Sequence, residues 1–261
     1  MPLPKSELED LGRAKRLLET PGIAMRLSSL AGAPVEKGLS MLPSRAQRAI
    51  HAATEKALMA ALSVAIRSLG GTAGGTKSSD RMHRVAVATS GAIGGAFGLA
   101  ALGVELPIST TLILRSIADI AASEGENPKH LDTQLACLTV FALGSPKDRR
   151  DDAAESGYFA ARTALAGAVS EATKHLAQKG LTKGGGPALV RLIGLITARF
   201  GIVVSEKTAA QLVPVIGAAG GALINTIFIG HYQDMARGHF IVRRLEKIHG
   251  AQPVREAYDK L

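Results

Sequence analysis

Residues 91–126 read GAIGGAFGLAALGVELPISTTLILRSIADIAASEGE, and the fold turns on how this stretch is divided. It holds a Gly/Ala-rich apolar run, a hinge predicted at Glu105-Leu106-Pro107, and a second apolar helix with its charges on one stripe. Gly91, Gly94, Gly95 and Gly98 leave a helix face almost without side chains, so that another backbone can approach it closely, in a membrane or in a tightly packed soluble bundle. The motif returns once: GAAGGA at 217–222 matches GAIGGA at 91–96 in five of six positions. The repeat predicts two Gly-rich helices packed on each other at the centre of the fold.

Outward from there, helical periodicity recurs and no alternating run of strand length is present. Leu8, Leu11, Leu17 and Leu18 give one side of a helix over 6–19, which Pro21-Gly22 ends, and Ile23, Leu27 and Leu30 mark a short second helix. Ser44 caps a long helix with apolar residues from Ile50 to Leu69. Further helices are predicted over 131–143, 148–179, 189–200, 202–213, 214–231 and 233–250, with Ala251 to Leu261 capping the chain and breaks at Gly144-Ser145-Pro146 and Gly184-Gly185-Gly186-Pro187. The expectation is an all-α, single compact multi-helix domain built around two Gly/Ala-rich apolar helices. An N-terminal amphipathic segment (1–43) precedes the helical domain proper (44–261).

With 261 residues, 46% of them hydrophobic, the chain can bury a sizeable core, and no Pro/Ser-rich linker divides it. The net charge of +9 fits nucleic acid, an anionic membrane surface or simple solubility. No Trp, three Tyr and six Phe leave few rings for stacking bases, which argues against nucleic acid. An anionic lipid surface asks only for Lys and Arg, and between 174 and 207 six basic residues face one acid. The start of the chain lacks the apolar core of a signal peptide, so a cytoplasmic location is expected, with peripheral attachment to the inner membrane face. Residues 85–104 and 208–230 are uncharged over 20 and 23 residues, long enough to span a bilayer, but they are rich in Ala, Gly, Ser and Thr and lack aromatic anchors at both ends.

The chemistry is sparse. Gly70 to Lys77 has the glycines of a phosphate-binding loop but follows a helix and lacks the GxxxxGKS order. His231, Asp234 and His239 lack the spacing of a metal site, and no GxSxG elbow occurs, so neither metal nor cofactor is expected. The lone Cys137, inside LACLTVFALG, reads as a core residue. Polar residues that interrupt apolar surroundings carry more information. Thr111, Arg115 and Asp119 lie at i, i+4 and i+8; Arg115 either pairs with Asp119 at the surface or turns inward to Glu105 or Glu155. Glu155, Tyr158 and Arg162 share a helix face that either orients a ligand or ties helices together. Asn225 sits in an apolar segment and needs a partner if buried.

Gly94-Gly95, Glu105-Leu106-Pro107, Thr110-Thr111, Leu114-Arg115-Ser116-Ile117-Ala118, Glu155-Ser156-Gly157-Tyr158 with Arg162, Pro214-x-Ile216-Gly217-Ala218, Asn225, and Phe240 before Arg244-Leu245-Glu246 together resemble the EcsC family. The resemblance runs from about residue 46 to 258. It implies a bacterial, membrane-related setting and brings no catalytic residue, cofactor or substrate class. The expected function is a non-enzymatic protein bound peripherally to an anionic membrane surface or a membrane transport or secretion complex. Two alternatives stay open: a hydrolase with its site at the Glu105-Arg115 hinge, or a helical bundle that binds a lipid or small apolar ligand there.

Overall fold

The computed structural model describes residues 3–19, 22–31, 35–40, 42–68, 102–143, 157–181, 185–212 and 221–261. Among them are ten α-helices and no strand. In chain order they are α1 (Lys5–Leu18), α2 (Ile23–Ala31), α3 (Val35–Ser40), α4 (Ser44–Ser68), α5 (Leu102–Ser123), α6 (Leu131–Leu143), α7 (Gly157–Lys179), α8 (Gly186–Leu212), α9 (Gly221–His249) and α10 (Ala251–Lys260).

The axis of the fold is α9. Its buried side chains run from Ile224 and Asn225 through Phe228, Tyr232, Met235 and His239 to Leu245 and occupy most of its circumference, as in a helix surrounded by others. It packs against α1, α2, α5, α6, α8 and α10. The sequence predicts separate helices over 214–231 and 233–250, yet α9 continues through Gly230 and Gly238. The segments predicted over 189–200 and 202–213 likewise join in α8 across Gly201. A helical glycine costs about 1 kcal/mol relative to alanine, less than the burial of the flanking apolar side chains returns.

The hinge expected at Glu105-Leu106-Pro107 is not a break either, because all three residues lie inside α5. Pro107 stands close to the start of the described helix and forfeits one backbone bond. Burial of Leu106, Ile113, Leu114 and Ile117 holds the segment. At its far end α5 stops in a Schellman turn: Gly125 takes φ +86°, Glu126 N–H donates to Ala121 O at 3.0 Å and Gly125 N–H to Ala122 O at 3.1 Å.

Three polar contacts fix α5 and α9 side by side in the same direction. Asn225 Nδ2 donates to Glu105 Oε1 (3.3 Å) at their beginnings, Gln233 Nε2 to Ser116 Oγ (2.8 Å) midway, and Arg243 Nε to Glu126 Oε1 (3.1 Å) at the ends. Behind them Phe141 of α6, Phe200 of α8 and Phe228 and Tyr232 of α9 form one aromatic cluster, with Phe141 and Phe200 centred 4.9 Å apart.

The predicted packing of 91–98 on 217–222 falls on 69–101 and 213–220, so Gly94, Gly95 and Gly220 lie outside the described residues. Close glycine contacts occur elsewhere. A Cβ on Gly238 would stand 2.5 Å from Leu18 Cγ and 3.0 Å from Ala14 O, and one on Gly38 would stand 2.6 Å from Ala209 O. Glycine thus lets α9 approach the backbone of α1, and α3 that of α8.

Candidate functional site

Polar side chains gather at three places. The first is the common end of α5, α8 and α9. Lys207 Nζ donates to Glu105 Oε1 at 2.8 Å and stands 4.8 Å from the Phe228 ring centre, while Asn225 shares the same carboxylate oxygen. Lys207, Asn225 and Glu105 are all buried. Burial pushes the Lys207 ammonium below its ordinary pKa, with the Glu105 carboxylate acting in the opposite direction. Such a closed set ties three helices together and leaves Glu105 little freedom to act as a base.

The second place lies where α7 meets α9. Arg162 Nη1 and Nη2 donate to Glu246 Oε1 and Oε2, both at 2.8 Å, in a bidentate fork, and Nη1 also reaches Tyr158 Oη at 3.3 Å. Tyr158 Oη stands 3.0 Å from His239 Nδ1. Burial raises the Tyr158 hydroxyl pKa, so it stays protonated. Burial, with Arg162 and Arg243 nearby, drives His239 well below its ordinary value, so its ring is neutral. Since guanidinium only donates, Tyr158 Oη accepts from Arg162, and the buried hydroxyl finds an acceptor for its own hydrogen when it donates to His239 Nδ1. In that arrangement the ring proton sits on Nε2, which is buried without a hydrogen-bond partner among the described residues. His239, Arg162 and Glu246 form part of the wall of a cleft of about 650 Å³ between α6, α7, α9 and α10.

A third cluster closes the end of α5. Glu126 receives Thr133 Oγ1 (3.0 Å), Arg243 Nε (3.1 Å) and Lys247 Nζ (2.8 Å), and Arg243 also reaches Asp132 at 2.6 Å. Burial works to raise the Glu126 pKa, but Lys247, Arg243 and Thr133 together outweigh it and hold the carboxyl below its ordinary value. Cys137 is fully buried in α6, and burial pushes its thiol far up, which suits a core residue and not a nucleophile.

The sequence-derived candidates therefore separate. Glu105 and Asn225 meet, with Lys207 as the cation in place of Arg115. Arg115 is exposed on α5, and Thr111 and Asp119 on the same stripe are half-buried. The inward pairing of Arg115 with Glu105 is thus overturned: the stripe faces outward, and a lysine buried from another helix already holds the carboxylate. Tyr158 and Arg162 meet each other and then His239 and Glu246; Glu155 lies outside the described residues. Sequence reasoning missed Lys207, His239 and Glu126 as partners. The available signal was Lys207 at the border of the uncharged run 208–230, where a charge entering an apolar helix needs a counter-charge from elsewhere.

The model of the EcsC protein family matches residues 5–245 of the chain. No curated protein and no solved structure matches the chain.

Proposed function

The chain belongs to the EcsC protein family, and on that premise we propose that it attaches peripherally to an anionic membrane surface, on the inner face of the membrane, alone or beside a membrane transport complex. One observation carries the proposal. At the end of the bundle where Glu105 meets Asn225, Val104, Ile108 and Leu223 are 68%, 50% and 42% exposed. The two uncharged runs of the sequence, 85–104 and 208–230, lead into the helices that form this end. Exposed apolar side chains at one end, on a chain of net charge +9, suit insertion to the depth of the lipid headgroups together with attraction to anionic lipid.

Helices Ser44–Arg67 and Gly186–Gln211 also have the length and composition to cross a bilayer, but the second contributes Leu192, Ile196, Phe200 and Val203 to the core. Surface attachment therefore fits better than spanning. A hydrolase at the Glu105-Arg115 hinge lacks support, since those side chains do not meet.

Flotation with phosphatidylcholine vesicles and with vesicles containing phosphatidylglycerol tests the proposal. Binding is expected to the anionic vesicles, to fall several-fold at high salt, and to fall again in Val104→Ser/Ile108→Ser/Leu223→Ser. No binding to either vesicle, or binding indifferent to these substitutions, would overturn it.

A further inference from the structure

We propose that the cleft between α6, α7, α9 and α10 binds a single-chain anionic amphiphile, its acid group accepting a hydrogen bond from His239 Nε2 and its chain lying along Phe159, Leu165 and Val169. The proposal stands apart from membrane attachment, which involves the other end of α9. Its first support is the unpartnered Nε2 donor. His239 is 3% exposed, its Nδ1 is engaged by Tyr158, and its Nε2 has no hydrogen-bond partner among the described residues although the residue lines the cleft. A buried N–H without an acceptor is costly; Nε2 is closed to solvent in this structure, so a ligand oxygen that relieves it enters from the cleft by displacing the side chains that cover the ring.

Charge and shape agree on the class of ligand. In the cleft wall Arg162 is paired with Glu246 and Arg243 with Asp132 and Glu126, and Lys174 and Arg255 add positive charge beside an apolar floor. A volume of about 650 Å³ falls within the range of small-molecule sites and suits one acyl chain with a compact acid head. A neutral alcohol of the same length would bring no charge to meet Lys174 and Arg255, and a bare anion would leave the apolar floor empty. The Arg162–Glu246 fork fixes Tyr158 and through it the ring, so Arg162 acts here as a positioning residue.

Titration calorimetry with dodecanoate and with dodecyl phosphate, below their micellar concentrations, tests this, with dodecanol, acetate and inorganic phosphate as comparisons. Saturable binding of at least one single-chain acid, more than tenfold tighter than dodecanol and than the head group alone, is expected; the tighter acid identifies carboxylate or phosphate as the preferred head. Val169→Trp, which fills the cleft from a half-buried position, should abolish that binding while leaving the melting temperature and vesicle flotation unchanged. In the unsubstituted protein, nitrogen-15 spectra should show the proton of neutral His239 on Nε2 and a shift of that signal on titration with the acid. Absence of saturable binding, dodecanol binding as tightly as the acids, unchanged binding in Val169→Trp, or a His239 signal that does not move would each overturn the proposal.

Discussion

Lys207 Nζ lies 2.8 Å from Glu105 Oε1, so two residues 102 positions apart form a salt bridge buried where α5, α8 and α9 converge. Removing one member leaves the other charge without compensation, whereas removing both takes away the desolvation penalty together with the attraction. Glu105→Gln and Lys207→Met are each expected to lower the unfolding free energy by roughly 3–5 kcal/mol. The double variant Glu105→Leu/Lys207→Met should lose less than the sum of the single changes. Urea unfolding of the set decides the matter, and additive small losses would show that the two charges are not coupled.

The glycine contacts give a prediction of opposite signs within one residue type. Gly238→Ala and Gly38→Ala place a methyl group against Ala14 O and Ala209 O respectively, and backbone atoms cannot rotate away. Each should cost roughly 1–3 kcal/mol. Gly167 and Gly194 are helical, exposed and have nothing within 4 Å of an added Cβ, so alanine there should stabilise by roughly 0.5–1 kcal/mol. Thermal unfolding of the four variants separates the pairs; equal effects at all four positions would mean that the close helix contacts are absent.

Glu126 gives a pH dependence with a definite sign. Its carboxyl is held below the ordinary value in the folded chain and returns to about 4.3 when unfolded. Between those two values the unfolded chain binds more protons, so stability rises with pH there. The contribution is complete above the ordinary value and is lost as pH falls through the depressed one. Glu126→Gln should therefore be less stable than the parent at pH 7, and the gap should close as the pH falls below about 4. Urea midpoints from pH 7 to pH 3 would reveal it, and a gap independent of pH would rule out ionisation of Glu126 as its source.

Helical class, the long helix after Ser44 and the buried helix over 131–143 were legible because they rest on local rules: periodicity and caps. Helix continuity was not. Pro107, Gly201 and Gly230 each favour a break locally, and neighbouring helices outweigh that preference by burying the side chains on either side. The sequence likewise marked Glu105, Tyr158, Arg162 and Asn225 as polar residues out of place in apolar surroundings, since a buried polar group must find a partner whatever the fold.

The identity of that partner is a tertiary fact. Arg115 and Lys207 are both cations that could answer Glu105, and periodicity on α5 alone leaves the choice open. Packing α8 and α9 against the beginning of α5 turns Lys207 and Asn225 toward Glu105 and leaves Arg115 in water. In the same way the parallel register of α5 and α9 sets Arg243 on Glu126, and the packing of α7 on α6 and α8 carries Tyr158 to His239 of α9 across 81 positions. The sequence by itself thus marked Glu105, Tyr158, Arg162 and Asn225 as residues in need of partners, because desolvation depends on the side chain and its immediate surroundings, while Lys207, His239 and Glu126 went unmarked and Arg115, though marked, is exposed. Only the tertiary structure decided which partners they met, because a distance of about 3 Å between helices is set by the packing of all the others.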